Sequence, residues 1–315
     1  MKLLIAIPCL NEAEGISGVL KALPTHLEGI SSFKVLVIDD GSTDNTAEKA
    51  KISGADVIAH THNLGVGEAF KTALEFALAN GFDIMINVDG DGQFDLKDIP
   101  RLLEPIIKTE ADFVSGSRFV DPSCYPEMPA VKFWGNKRIS HFISKLTGER
   151  FYDVSCGFRA YSREALLKLN LEGKFTYTQE TFLDLTLKNL RIKEVPIQVT
   201  YFPGRKSRVA GSIPVYAFKT LKIILRAYRD YYPIRFFWSI ALVFFSFGVF
   251  FGSILLFHYI KYQKFSGHIW AGGVSGFLLL ISLTFFILGI VTDMLDRIRS
   301  NQEKILYYLK KYLVK

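Results

Sequence analysis

Two stretches of this chain carry no formal charge over lengths that match a bilayer. Residues 236–260 are 25 positions without Lys, Arg, Asp or Glu, and residues 269–292 are another 24. At about 1.5 Å per residue, helices of that length reach roughly 36 Å, against a hydrocarbon core of about 30 Å. A buried soluble helix is the alternative, but two uncharged runs this long, eight residues apart, predict a transmembrane hairpin. The link 261–268 carries Lys261 and Lys264. Lys222, Arg226, Arg229 and Arg235 precede the first span and six Lys or Arg follow the second, which predicts cytoplasmic termini on an integral protein of the cytoplasmic membrane.

The rest of the charge follows from this division. The chain has 315 residues and a formal charge of +7, yet residues 211–315 hold thirteen Lys and Arg against four Asp and Glu. Residues 1–210 are therefore slightly acidic. A nucleic-acid binder places its cations on the domain that grips phosphates, so nucleic acid is excluded as a partner. Phe218, Leu221, Leu225 and Tyr228 recur at helical spacing among Lys219, Lys222, Arg226 and Arg229, which predicts an amphipathic interfacial helix over 213–234. A weaker stripe over 293–315 predicts a second cytoplasmic amphipathic helix, either lying on the bilayer or pairing with a second subunit, and leaves a homo-oligomer open. Cys9, Cys124 and Cys156 are an odd number with no CxxC spacing, which fits a reducing compartment and argues against a disulfide framework. Residues 1–7 are too short for a signal segment before Pro8 and look like a first strand.

Residues 1–212 are predicted to form an α/β domain. Short β-rich runs at 3–8, 33–39, 55–60, 83–88 and 112–115 alternate with helical patterns, which predicts a mostly parallel sheet. Ligands of such sheets sit beyond the carboxyl ends of the strands. The unusual residues fall there: Pro8-Cys-Leu-Asn11-Glu12 after the first run, Asp39-Asp40-Gly-Ser after the second, and Asp89-Gly-Asp91-Gly-Gln93 after the fourth.

Asp89 and Asp91 are two apart at a strand end, so an extended backbone projects both carboxylates the same way. They can share one hard cation, with Gln93 nearby; Mg²⁺ or Mn²⁺ bound to oxygens keeps room for substrate phosphates. A solvated acidic turn is the plainer reading of that loop alone. Likewise, Asp39-Asp40-Gly-Ser is good turn chemistry, and Asp44 could cap the next helix. Gly65-Val-Gly67-Glu-Ala-Phe70 imitates a dinucleotide fingerprint, but Phe70 stands where the third glycine belongs and the motif follows the third strand. With no GxxxxGK[ST] and no GxSxG, phosphate handling rests on metal and cations.

Together, Pro8–Glu12, Val37–Asp44, Asp89–Gln93, Gly116-Ser-Arg118 and Ser155-Cys-Gly-Phe-Arg159 resemble the family 2 glycosyltransferases of GT-A fold, over roughly residues 1–212. With the membrane hairpin, the chain is similar to the polyprenyl-phosphate hexosyltransferases of the dolichol-phosphate mannose synthase type. That resemblance implies a Rossmann-like, mostly parallel catalytic domain. It further implies that Pro8, Asn11, Glu12, Asp39 and Asp40 hold the base and ribose of a nucleotide-sugar donor. Asp89 would contact ribose or metal, and Asp91 and Gln93 would be ligands of Mn²⁺ or Mg²⁺. Arg118 and Lys137, with Ser140 on the same helix as Lys137, fall where acceptor-phosphate contacts are placed, with ordinary surface charge as the alternative for the two cations. Arg205 and Arg208 fall in the loop that closes over the donor diphosphate.

The chemistry follows from these groups. A metal and fixed cations stabilise a diphosphate leaving group. A lipid monophosphate is mostly a dianion at neutral pH and needs no general base, which accounts for the lack of an obvious catalytic histidine. The expected reaction inverts an α-linked donor sugar to a β-linked lipid phosphosugar. Three rivals stand beside it. A processive polysaccharide synthase would carry QxxRW and more spans. A transferase to a lipid hydroxyl, such as diacylglycerol, would need a base, with Asp153 and Glu180 as candidates. A non-catalytic membrane scaffold would keep the fold alone.

Overall fold

A computed structural model of the protein describes residues 1–128, 130–171, 177–201, 221–222, 225–226 and 228–313. They form two compact units, Met1–Ile224 with Ile305–Lys315, and Leu225–Lys304.

The first unit is built on a seven-stranded sheet of order β3-β2-β1-β4-β6-β5-β7. Its strands are β1 (Lys2–Cys9), β2 (Ser32–Asp39), β3 (Asp56–Ala59), β4 (Ile84–Asn87), β5 (Phe113–Ser117), β6 (Arg159–Ser162) and β7 (Ile192–Pro196). The near-continuous apolar run of β1 is what a strand covered on both faces requires. Leu3, Ile5 and Ile7 pack with Ile84, Ile86, Leu102 and Ile106 on one side, leaving Leu4 and Ala6 for the other. On helix α3 (Val66–Ala79), Ala69, Phe70, Ala73, Leu74, Ala77 and Leu78 recur at three- and four-residue spacing and are buried, the stripe that lets α3 cross over β1 and β2. Shorter helices α1 (Ile16–Lys21), α2 (Thr46–Ile52) and α4 (Ile99–Ile107) complete the β1–β5 alternation.

All strand pairings are parallel except those of β6, which runs antiparallel between β4 and β5. The cause is the route of the chain. Helix α5 (Ala130–Thr147) returns it to the carboxyl edge of the sheet, so β6 starts where β4 ends, with Arg159 opposite Asn87, and runs away from that edge. Residues 153–158 are thereby laid beside the Asp89 loop. Helices α6 (Arg163–Lys168) and α7 (Thr178–Leu187) then lead into β7, which pairs parallel with β5 as far as Ser117 opposite Pro196 and delivers residues 197–201 to the same edge.

The second unit contains α8 (Pro233–Tyr262) and the first part of α9 (Ile269–Leu313), two helices long and apolar enough to cross a membrane. Small and hydroxylic residues bring them close, as is usual where helices pack without a hydrophobic driving force. Ser275 Oγ donates to the Gly248 carbonyl at 2.7 Å and Ser282 Oγ to that of Ala241 at 2.8 Å. A Cβ on Gly248 would stand 2.9 Å from Leu279, so only glycine admits this approach. The stretches 269–292 and 293–315, expected as separate elements, are joined in α9 as far as Leu313: nothing between Ile290 and Leu313 breaks a helix, and the Arg297–Asp293 and Arg299–Asp296 ion pairs span its turns. Half of the 213–234 segment lies outside the described residues; within the described half, Leu221 and Leu225 are exposed.

Candidate active site

The carboxyl edge of the sheet gathers the loops after β1, β2, β4, β5 and β7 and the loop before β6. The first two are locked together by side chains. Asn11, at φ 50°, accepts from the Thr43 amide through Oδ1 at 2.8 Å, and its own amide donates to Ser42 Oγ at 2.8 Å. The Glu12 amide donates to Thr46 Oγ1 at 2.8 Å, and the Ser42 amide to Asp39 Oδ1 at 3.0 Å. Pro8 is half-buried at the end of β1, and its carbonyl accepts from the Gly90 amide at 3.4 Å.

Asp40 is buried and faces the loop between β3 and α3. Its carboxylate accepts from the amides of Leu64 at 3.0 Å and Gly65 at 2.8 Å and lies 2.8 Å from His60 Nδ1, whose Nε2 reaches Thr72 Oγ1 at 3.0 Å. This arrangement explains the glycine-rich stretch 65–67: it opens α3 against a carboxylate of this chain. The Cys9 thiol sits where the loops converge. Burial raises its pKa, and the carboxylates of Glu12, Asp39, Asp89 and Asp91 raise it further.

Asp89 and Asp91 follow β4, Asp91 in the turn that begins at Gly90. Burial pushes the Asp89 carboxyl up to about 7, with the neighbouring Asp91 charge adding to it and the guanidinium groups of Arg159 and Arg118 opposing. A Cβ on Gly157 would come within 2.7 Å of Asp89 Oδ2, so the loop before β6 forms a close-fitting wall for this carboxylate. Asp91 Oδ1 accepts from the Gln93 amide at 3.0 Å, and the Gln93 carbonyl accepts from Thr200 at 2.9 Å. Among the described residues, no group of three His, Cys, Asp or Glu side chains is disposed to hold a metal. The carboxylates of Asp89 and Asp91, near enough that the charge of one raises the pKa of the other, with Gly157 walling Asp89, are hard oxygen donors that fit a divalent cation whose remaining positions go to water and phosphate oxygens.

Arg118 follows β5 and is held on every side. Nε donates to Asp153 Oδ2 at 2.7 Å, Nη2 to Asp153 Oδ1 and to Ser155 Oγ at 2.8 Å each, and Nη1 to the Tyr201 hydroxyl at 2.8 Å. Burial alone would raise the Asp153 pKa, but the Arg118 guanidinium outweighs it and holds this carboxyl below the usual range. The backbone around Asp153 is fixed in turn, since Glu194 accepts from the amides of Tyr152 and Asp153 at 2.7 Å each. Arg159 is fully buried and wraps the same loop, donating to the carbonyls of Cys156, Val154 and Thr178.

Helix α5 docks onto this network. Ser155 Oγ donates to Asn136 Oδ1 at 3.1 Å, and Ser140, buried, accepts from the Val154 amide at 3.2 Å. Ser140 thus holds the loop, and Lys137, next to Asn136, is exposed with its Nζ 6.0 Å from the Phe133 ring centroid. Arg205 and Arg208 lie outside the described residues. Glu180 is in the first turn of α7.

The structure therefore sets Asp89 within electrostatic reach of Asp91 and Arg118, with Gln93 further along the Asp91 loop and Asn136 bonded to Ser155, and commits Asn11, Asp40 and Ser140 to contacts between loops; Lys137 is placed by its contact with the Phe133 ring alone. The sequence reading did not assign Tyr201, Glu194, Ser155 and Arg159 their parts. For Ser155 and Arg159 the signal was there, as members of the Ser-Cys-Gly-Phe-Arg motif. Tyr201 opens the stretch that also holds Arg205 and Arg208, but neither its bond to Arg118 nor the role of Glu194 is visible in sequence, because their partners are 83 and 41 positions away.

Residues 4–169 match the pattern of glycosyl transferase family 2. An uncharacterised protein of Methanocaldococcus jannaschii is 35% identical over 230 residues, covering 71% of this chain and 92% of that protein. The UDP-N-acetylglucosamine–dolichyl-phosphate N-acetylglucosaminyltransferase of Methanococcus voltae is 34% identical, over 62% of this chain and 85% of its own. Among solved structures, glucosyl-3-phosphoglycerate synthase of Mycobacterium tuberculosis, in complex with Mn²⁺, UDP-glucose and phosphoglyceric acid, shares the fold at a TM-score of 0.58, with 20% identity over 72% of this chain and 79% of that one.

Proposed function

The chain belongs to glycosyl transferase family 2, and from that premise we propose that it moves a hexose from a nucleotide-diphosphate sugar to polyprenyl phosphate, releasing the nucleoside diphosphate. The observation that carries this reading is the Arg118 cluster beside the Asp89–Asp91 pair: a rigidly held guanidinium next to a site suited to a metal and diphosphate. The resemblance to a dolichyl-phosphate transferase and the two apolar helices support an acceptor anchored in a membrane.

In this reading the loops after β1 and β2 receive the base and ribose through Pro8, Glu12 and Asp39, while Asn11 and Asp40 hold those loops in place. Asp89, Asp91 and Gln93 would hold Mn²⁺ or Mg²⁺, which when bound offsets charge developing on the leaving diphosphate. Arg205 and Arg208 would add donor-side cations. Arg118 and Lys137 would neutralise and aim the acceptor phosphate. With its second pKa of about 6, that phosphate is mostly a dianion at pH 7, so it attacks the anomeric carbon as it stands while the bond to the diphosphate oxygen breaks. A single displacement inverts the anomeric centre.

The lipid-hydroxyl reading would require a base, and Asp153 is poorly suited to that task. Its carboxylate is bidentate on Arg118 and its pKa is lowered, which leaves little affinity for a proton. We assign both termini to the cytoplasmic side, on the balance of Lys and Arg around the spans.

The test is incubation of the purified full chain in detergent with polyprenyl phosphate, Mn²⁺ or Mg²⁺ and a panel of UDP- and GDP-sugars, with the lipid product weighed by mass spectrometry. A product heavier by one hexosyl unit, β-linked from an α-donor and absent in excess chelator, is the expected outcome. Turnover with diacylglycerol and none with polyprenyl phosphate would overturn the acceptor assignment.

A further inference from the structure

Helix α5 has two faces of opposite character. Toward the domain, Ser140 and Ile143 are buried, Phe133 meets Phe119 edge-on with centroids 5.3 Å apart, and Asn136 accepts from Ser155. On the opposite face, Val131, Trp134, Arg138, Phe142 and Lys145 recur at three- and four-residue spacing and all are exposed. Val131 is 58% exposed, Trp134 59% and Phe142 39%. The Arg138 guanidinium lies over the Trp134 ring, 4.6 Å from its centroid. The helix carries Lys132, Lys137, Arg138 and Lys145 and neither Asp nor Glu.

We propose that this face of α5 rests on the anionic headgroups of a phospholipid bilayer, with Val131, Trp134 and Phe142 at the acyl boundary and Arg138 and Lys145 among the phosphates. Charge complementarity selects this occupant. A helix that has only cations would meet the cations of a second copy unfavourably, whereas an anionic lipid surface attracts them. A tryptophan with one apolar face and a capping guanidinium suits the boundary between water and acyl chains, and so does a short helix with opposed apolar and buried faces. Lys137 lies on the flank between the exposed and inward faces. If the acceptor reading above holds, the same contact sets that cation at the depth of a lipid phosphate.

The full chain has three tryptophans, so Trp238→Phe with Trp270→Phe leaves Trp134 as the only reporter. Reconstitution into phosphatidylcholine–phosphatidylglycerol vesicles containing lipid brominated at shallow acyl positions should blue-shift its emission and quench it. In the same background, Arg138→Gln with Lys145→Gln should lose at least half of the quenching, as should vesicles of phosphatidylcholine alone. Should the tryptophan substitutions impair folding, the difference between the wild-type chain and Trp134→Ser gives the same reading. Emission quenched by aqueous acrylamide but untouched by the bromines would overturn the proposal. So would protection that rises with the protein-to-lipid ratio without bromine quenching, the signature of a second copy on this face. The measurement uses no substrate, so its outcome stands apart from that of the transferase assay.

Discussion

The guanidinium of Arg118 lies against the carboxylate of Asp153 in a bidentate pair, Nε to Oδ2 at 2.7 Å and Nη2 to Oδ1 at 2.8 Å, with the Asp153 side chain fully buried. This relation fixes the direction of the one arginine proposed above for the acceptor phosphate. It also makes Asp153 a positioning residue and leaves it unfit as a proton acceptor.

Asp153→Asn should therefore destabilise the catalytic unit by about 3 kcal/mol, the usual scale for leaving one member of a buried pair unmatched, and should depress turnover through misplacement of Arg118. The folded-state pKa of Asp153 is lowered, so its contribution to stability is complete above the ordinary carboxylate value of about 3.9 and is lost as pH falls below that. The gap between thermal melts of wild type and variant, followed from pH 7 to pH 3 in detergent, should begin to narrow below about pH 4. A constant gap across that range would contradict the pairing.

Arg118→Lys keeps the charge but loses the fork geometry that meets Asp153, Ser155 and Tyr201 at once. Turnover should fall by about 10²-fold or more, within the range seen when a single charge-stabilising contact is removed. The melting temperature should fall less than in Asp153→Asn. Unchanged kcat would remove Arg118 from the acceptor site.

Gly157→Ala tests the wall behind Asp89. Its new methyl group would stand 2.7 Å from Asp89 Oδ2 and must push that carboxylate aside. The Mn²⁺ concentration giving half-maximal activity should rise by about 10- to 100-fold, the scale of losing a supporting contact around a metal. Direct Mn²⁺ titration by electron paramagnetic resonance gives an independent check, and equal affinity in both proteins would count against Asp89 as a ligand.

Glu194 supplies a pH dependence of opposite sign. Burial pushes its carboxyl up to about 7 despite two amide donors, so its ionisation costs stability as pH rises from the ordinary value of about 4.3 toward 7. Glu194→Gln should melt progressively higher relative to wild type as pH is raised over that interval and hold a constant difference above it. A difference that shrinks with rising pH would show that the carboxylate is the favoured form.

Gly248→Ala tests the helix hairpin. Its methyl group would sit 2.9 Å from the Leu279 side chain and 3.4 Å from its backbone nitrogen, forcing α8 and α9 apart and stretching the Ser275–Gly248 hydrogen bond. Overpacking of this kind typically costs about 1–3 kcal/mol. The variant should unfold at lower denaturant concentration in detergent while its kcat with a detergent-soluble acceptor is kept.

How far the sequence reached differs between the parts of the molecule. The uncharged runs, the β1–β5 alternation and the presence of two carboxylates just after β4 were legible because each is a local pattern, of length against bilayer thickness, of apolar runs bounded by turn residues, and of a short acidic string. The extended backbone expected to project both carboxylates one way is instead a turn at Gly90–Asp91, because β4 ends at Asn87. The family motifs were legible for the same reason, as short contiguous strings. No local pattern announced the reversal of β6, since its direction depends on where α5 returns the chain. Nor could spacing assign Asp40 to the amides of Leu64 and Gly65, Ser140 to the Val154 amide, or Glu194 to those of Tyr152 and Asp153. Such pairings join residues distant in sequence through the packing of loops against helix α5 and against one another. Sequence thus determined which chemical groups stand at the strand ends, and the tertiary structure decided which of them face one another and which are spent holding the loops, because only packing brings distant partners within hydrogen-bond reach.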